Sequence, residues 1–235
     1  MVMTNRELLN ILKVHFLTNY NTTSFFIYGS YAELRKDFLL TPKDIDVILI
    51  DASNIEHGKE IIINIPEIDL PINICSKSIE EVKKDALNLE PKFFSTIFPS
   101  GSYELFCVLS DSIDMKTPKE IRHAISNFSS SAYNKGKKKL IVEEDYDEYL
   151  GLKNLYHAFK FIVYAMNYYG DINYASSFVD PKYYEIWYLN DIRKLIFNTY
   201  ASSTGTNEER FKAVDIVIRP LYNALMTKFR KKFPK

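Results

Sequence analysis

Two apolar runs, and what lies between them, limit this chain's fold more than any other feature. Ser24-Phe25-Phe26-Ile27-Tyr28 ends in Gly29-Ser30. After the spacer Tyr31 to Lys43, Asp44-Ile45-Asp46 opens a second run, Val47-Ile48-Leu49-Ile50. Both runs have the length and composition of buried strands. On a strand, residues i and i+2 point to one face, so Asp44 and Asp46 share a side. Two carboxylates on one side of an otherwise greasy strand repel each other and resist desolvation. A divalent cation removes that cost, and Mg²⁺ takes carboxylate oxygens together with substrate phosphates. The expected ligands are therefore Mg²⁺ or Mn²⁺ and a nucleoside triphosphate.

The glycine supports the same chemistry. Gly29 at a strand end lets backbone approach a ligand closely. A helix starting at Tyr31 would aim its N–H groups and positive dipole end at that point, which suits phosphate. Ser30 adds a hydroxyl donor. A third carboxylate is expected on the next strand, from Glu67-Ile68-Asp69-Leu70-Pro71-Ile72-Asn73-Ile74. Ile68, Leu70, Ile72 and Ile74 alternate on one side, and Glu67, Asp69 and Asn73 on the other. Asp69, nearer the middle of the run, is favoured over Glu67, and both stay open.

The residues Tyr28-Gly29-Ser30, Asp44-Ile45-Asp46 and Asp69 resemble the DNA polymerase β-like nucleotidyltransferase superfamily over roughly residues 24–75. The resemblance implies a short mixed sheet and two-metal chemistry. It also implies transfer of a nucleoside monophosphate with release of pyrophosphate. By carry-over, Gly29 and Ser30 bind the triphosphate, and Asp44, Asp46 and Asp69 are catalytic and hold metal. Lys153-Asn154-Leu155-Tyr156-His157-Ala158-Phe159-Lys160 is similar to the first long helix of small predicted nucleotidyltransferases of phages, large DNA viruses and bacteria. Lys153, Tyr156, His157 and Lys160 fall at i, i+3, i+4 and i+7 and so occupy one helix face. The resemblance makes them a nucleotide grip. The abundance of Ile, Lys, Asn, Phe and Tyr fits AT-rich coding of viral or phage type.

The rest of the pattern suggests an α+β protein in two parts. Asn5 to Tyr20 is helical, capped by Thr4 or Asn5. Ile61–Ile65 and Ile68–Ile74 read as strands split by Pro66, and Ser78–Leu87 as a helix. Residues 1–115 form the nucleotidyltransferase core. Residues 116–235 are α-helical, over Lys119–Tyr133, Glu144–Tyr169, Pro181–Tyr200 and Asn207–Phe233, with Pro118 and Pro181 at first-turn positions and Pro220 as a kink.

Charge and cysteine narrow the partners. Lys+Arg and Asp+Glu are both 30, so any polyanion site is local. The runs Lys135 to Lys139 and Lys228 to Lys232 are the candidates, the first read as preceding the long helix. Cys75 and Cys107 lack metal-ligand spacing and sit in apolar surroundings, as core thiols do. With no signal-peptide pattern and no apolar span of membrane length, a cytoplasmic, non-membrane location is expected. The acceptor hydroxyl, on RNA, a protein or a small molecule, is not readable. The rival reading is a catalytically degenerate version of the fold that binds a protein partner or nucleic acid.

Overall fold

A computed structural model describes residues 4–29, 31, 43–95, 116–169 and 183–234. The protein is α+β and divides into two compact units, Met1–Lys116 and Thr117–Lys235.

The first unit opens with helix α1 (Asn5–Tyr20). Thr4 accepts from the Glu7 N–H, and Glu7 accepts from the Thr4 N–H, a reciprocal cap that fixes the helix start. Asn21 ends it in the left-handed region, φ 51°. Strands β1 (Phe25–Tyr28), β2 (Ile45–Ile50), β3 (Glu60–Ile63) and β4 (Ile72–Lys77) form one mixed sheet, ordered β1-β2-β4-β3. The β1/β2 and β3/β4 pairs are antiparallel, and β2/β4 is parallel. Helix α2 (Ile79–Leu87) follows β4 directly, capped reciprocally by Ser78 and Glu81, and a short 3₁₀ turn spans Pro91–Ser95.

Side-chain alternation splits the sheet into two faces. Phe25, Ile27, Ile45, Val47, Leu49, Ile72 and Ile74 join Leu8, Leu12 and Phe16 of α1 in one core. Phe16 meets Phe25 edge-on, centroids 4.9 Å apart. The other face carries Tyr28, Asp46 and Asn73, and Phe26 packs on Phe93 of the 3₁₀ turn at 5.6 Å.

The segment 68–74 departs from the strand expected there. Pro66 seeds a turn in which the Ile68 N–H donates to the Ile65 carbonyl at 2.9 Å. Pro71 has no N–H for a ladder, so pairing starts at Ile72 and continues to Lys77. Ile68 is buried in the core without belonging to a strand. Asp69 thus lies in an exposed bend ahead of β4. The helix expected from Tyr31 falls mostly outside the described residues.

The second unit contains α3 (Pro118–Ile141), α4 (Glu148–Tyr168), α5 (Tyr183–Ser202) and α6 (Asn207–Lys232). Thr117–Glu120 and Thr206–Glu209 repeat the reciprocal cap, and Pro118 stands at the first helical position. Helix α3 outruns the expected Tyr133 end and includes Lys135 to Lys139, so that run is not a connector before α4. Lysine is a good helix former, and Gly136 within the run is buried against α4. Leu155, Phe159, Ile162, Ile196, Val214, Ile218 and Phe229 supply the core. Asp215 of α6 receives a hydrogen bond from Tyr133 of α3 and a two-pronged pair from Arg219 at 2.7 and 2.8 Å. Helix α6 runs through Pro220 on its exposed side, where water can take the freed carbonyl. Pro181 lies outside the described residues. Among the described residues no helix is long and apolar enough to cross a membrane. Cys75 is a free, buried thiol, and Cys107 lies outside the described residues.

Candidate functional site

The register places Tyr28, Asp46 and Asn73 side by side across three strands. Asn73 Nδ2 donates to Asp46 Oδ1 at 3.3 Å. Gly29 follows β1 with φ +73°, a conformation that favours glycine. A Cβ on it would lie 2.2 Å from Asp46 Oδ2. No side chain fits there, so the strand-end turn presses its bare backbone against the Asp46 carboxylate. This is the close approach expected of Gly29, made to a carboxylate of the chain itself. Ser30 lies outside the described residues.

Asp44 is half-buried just before β2, where the next residue, Ile45, donates to the Pro71 carbonyl at 2.9 Å. Its charge is felt at Tyr28. Burial first, then the charges of Asp46, Glu60, Cys75 and Asp44, push the Tyr28 phenol well above its ordinary value. Tyr28 therefore stays a neutral O–H donor beside two carboxylates. Asp69 and Glu67 are both exposed, one in the bend and one in the Pro66 turn. Among the described residues no three acidic, histidine or cysteine side chains are grouped as a metal-binding set. The residue beside Asp46 on β4 is an amide, Asn73. Two carboxylates and an amide oxygen are hard donors, of the kind that suits Mg²⁺ or Mn²⁺ together with water and phosphate oxygens. By donor chemistry, Asp44 and Asp46 are the residues that could hold such a cation.

In the helical unit, the α4 stripe straddles the border between core and solvent. Lys153 is exposed, His157 and Lys160 are half-buried, and Tyr156 is only 8% exposed. Tyr156 therefore belongs to the packing rather than to an open stacking platform. Its ring lies 5.9 Å from that of His157 and 6.0 Å from the Arg193 guanidinium of α5. Arg193 also sits 5.5 Å from the Phe197 ring, and Lys160 Nζ 5.5 Å from that of Tyr164. Burial, then the cations Lys160, Lys153 and Arg193, hold the His157 imidazole well below its ordinary value, and so neutral.

Asn73 and Arg193 were not among the residues expected at a site. Asn73 was visible in the alternating run, so a register argument could have found it. Arg193 carries no such signal, because only the packing of α5 on α4 brings it to His157. Neither a protein-family model nor a curated protein matches the chain.

Proposed function

We propose that the protein is a metal-dependent nucleotidyltransferase that moves a nucleoside monophosphate from a nucleoside triphosphate to an acceptor hydroxyl. The observation that carries this reading is the contact of the Gly29 backbone with the Asp46 carboxylate, on neighbouring strands with Asp44 close by. A glycine turn at the end of β1 and the carboxylates at the start of β2 would put a phosphate-accepting backbone next to a cation site. In the reaction the acceptor oxygen forms a bond to the α-phosphorus. The bond to the bridging oxygen breaks, pyrophosphate leaves, and the acceptor proton passes to a base. Asp44 and Asp46 would hold Mg²⁺ or Mn²⁺, which when bound neutralises charge on the phosphate oxygens. Asp69 remains the expected base-side carboxylate, with Glu67 as alternative. Gly29 and Ser30 would receive the triphosphate.

Transfer of label from α-labelled triphosphates to RNA, protein or small-molecule acceptors tests the reading. Activity is expected in the wild type and absent in an Asp44→Ala, Asp46→Ala double variant. Equal transfer by both would reject it.

One observation favours a second reading. Asn73 occupies the β4 position beside Asp46, where a carboxylate would complete an acidic trio. A degenerate site that serves to bind a protein partner or nucleic acid accounts for that amide. Calorimetry separates the two, because only the enzyme requires Mg²⁺-dependent triphosphate binding that is lost with the aspartates.

A further inference from the structure

Helix α6 carries two apolar stripes, and the core uses one of them. Phe211, Val214, Ile218, Met226 and Phe229 are buried in the helical unit. On the outward side, Ala213, Ile216, Val217, Pro220, Leu221 and Ala224 follow at alternating steps of three and one, the spacing of a single helix face. Ile216 is 73% exposed, and Val217 and Leu221 are each 37% exposed. Pro220 and Ala224 are exposed too, and Ala213 is half-buried. A surface helix turns one apolar stripe to the core and a polar side to water. Single apolar side chains on a surface need no account, but a contiguous stripe marks a contact.

The stripe is symmetric along the helix about a point between Ile218 and Arg219. Val217 and Pro220 are equidistant from that point, as are Ile216 and Leu221, and Ala213 and Ala224. One turn beyond the apolar residues the same symmetry relates Glu209 to Lys228, an acid to a base. In an antiparallel two-fold pair, residues equidistant from the centre face each other. Each apolar residue then meets another, and each Glu209 meets Lys228 of the second copy. Glu209 closes the helix cap with Oε2, so Oε1 can accept from that ammonium. The same arrangement sets the acidic first turn, Glu208 and Glu209, against the basic last turn, Arg230, Lys231 and Lys232. The small alanines at either end of the stripe let two helices close to contact distance.

We propose that this face of α6 is the contact by which two copies of the chain form an antiparallel, two-fold homodimer. From Glu209 to Lys228 the seam runs about 28 Å along the helix. One helix pair buries less than the roughly 1,200–2,000 Å² of a standard stable interface, so the dimer is reversible and fills with rising concentration. A membrane or a nucleic acid would match cations along the whole face. Here the cations gather at one end and carboxylates stand at the other. The inference is independent of the chemistry proposed for the first unit.

Sedimentation of the full chain across a wide concentration range is the test. The wild type is expected to pass from monomer to dimer as concentration rises. Ile216→Asp sets a carboxylate in the seam of each copy and is expected to remain monomeric. Its helical circular dichroism should match the wild type, since Ile216 faces mainly water. Lys228→Glu turns both end pairs into repulsions and should weaken dimerisation about tenfold. Ile62→Asp, at an equally exposed position on β3, is the control and should dimerise as the wild type does. A wild type that stays monomeric throughout overturns the proposal, as does Ile216→Asp dimerising like the wild type. Undiminished dimerisation of Lys228→Glu overturns the antiparallel arrangement on which the pairing rests. Loss of the dimer in Ile62→Asp overturns it in favour of pairing through the β3 edge. Binding of a monomeric wild type to phosphatidylserine vesicles, lost in Ile216→Asp, overturns it in favour of a membrane face.

Discussion

The carbonyl oxygen of Gly151 stands 2.9 Å from the point where a Cβ on Gly136 would lie. Helices α3 and α4 therefore meet backbone to backbone. That point is also 2.9 Å from the Leu155 N, which cannot step aside. Gly136→Ala gains about 1 kcal/mol of helix propensity against about 1–3 kcal/mol of overpacking. Net destabilisation is expected, read as a lower urea midpoint by fluorescence of Trp187, the single tryptophan, in α5. Gly151→Ala meets Leu140 side-chain atoms at 2.6 and 2.7 Å, which can rotate, and the Gly136 carbonyl oxygen only at 3.3 Å, and should cost less. A larger loss for Gly151→Ala would contradict this account of the contact.

Where β1 ends beside the starts of β2 and β4, two substitutions should act oppositely toward Mg²⁺. Gly29→Ala forces a Cβ onto Asp46 Oδ2 and holds alanine at φ +73°. It should cost about 1–3 kcal/mol and abolish transfer. Asn73→Asp sets a second carboxylate beside Asp46, and the two repel. That variant should melt below the wild type in chelator and rise further than the wild type on adding Mg²⁺. Thermal scans with and without the cation check both, and an Asn73→Asp melt indifferent to Mg²⁺ would count against a cation site there.

Asp85 of α2 ties three elements together. It accepts from Lys77 at the end of β4 at 2.5 Å and from Lys92 of the 3₁₀ turn at 2.8 Å. Burial alone would raise its carboxyl, but hydrogen bonds from Lys77 and Lys92 outweigh it and hold the group below the ordinary aspartate range. Asp85→Asn leaves Lys77 facing Lys92, whose remaining carboxylate partner is Glu90 at 2.7 Å, so the cost should fall below the ~3–5 kcal/mol of a fully orphaned buried charge. The depressed carboxyl contributes stability that is complete above the ordinary aspartate range and disappears as pH falls through its lowered value. Acid titration of stability should accordingly flatten in Asp85→Asn.

His157 gives a milder pH dependence. Its folded value lies well below 6.5, held there by burial and by Lys160, Lys153 and Arg193. The unfolded chain therefore binds the extra proton first, and stability drops as pH falls below 6.5, by at most about 1.4 kcal/mol per pH unit. His157→Gln should remove that slope between pH 6.5 and 5. Urea midpoints across the window measure it, and an unchanged slope would rule His157 out as its source.

The parts of the fold that were readable are those encoded by near neighbours. Phe25 to Tyr28 and Ile45 to Ile50 stand out as short apolar runs because residues on both faces of these strands are buried. Thr4 announces its helix because a side-chain cap acts within three residues, and Pro118 marks the first turn of α3. The alternation from Ile68 to Ile74 misled because Ile68 is buried from a turn, and because Pro71 blocks the ladder that Asp69 was expected to join. The reach of α3 through Lys135 to Lys139 was hidden for another reason. A glycine in a lysine run resembles a connector until its partner, Gly151, is seen. Arg193 shows the same limit for the site, since a residue from another helix has no spacing by which sequence can assign it. What sequence offered for Ser30 lies outside the described residues.

The repeated Thr/Ser–Glu pairs at the starts of α1, α2, α3 and α6 give the two units a shared weakness. Hydrogen bonds from Thr4, Ser78 and Thr206 hold the Glu7, Glu81 and Glu209 carboxyls below their ordinary values. Each clasp is secure above the usual glutamate range and opens as acid reaches its lowered value. Acidification would thus fray helices in both halves of the chain from their leading ends, in step, through a single kind of protonation.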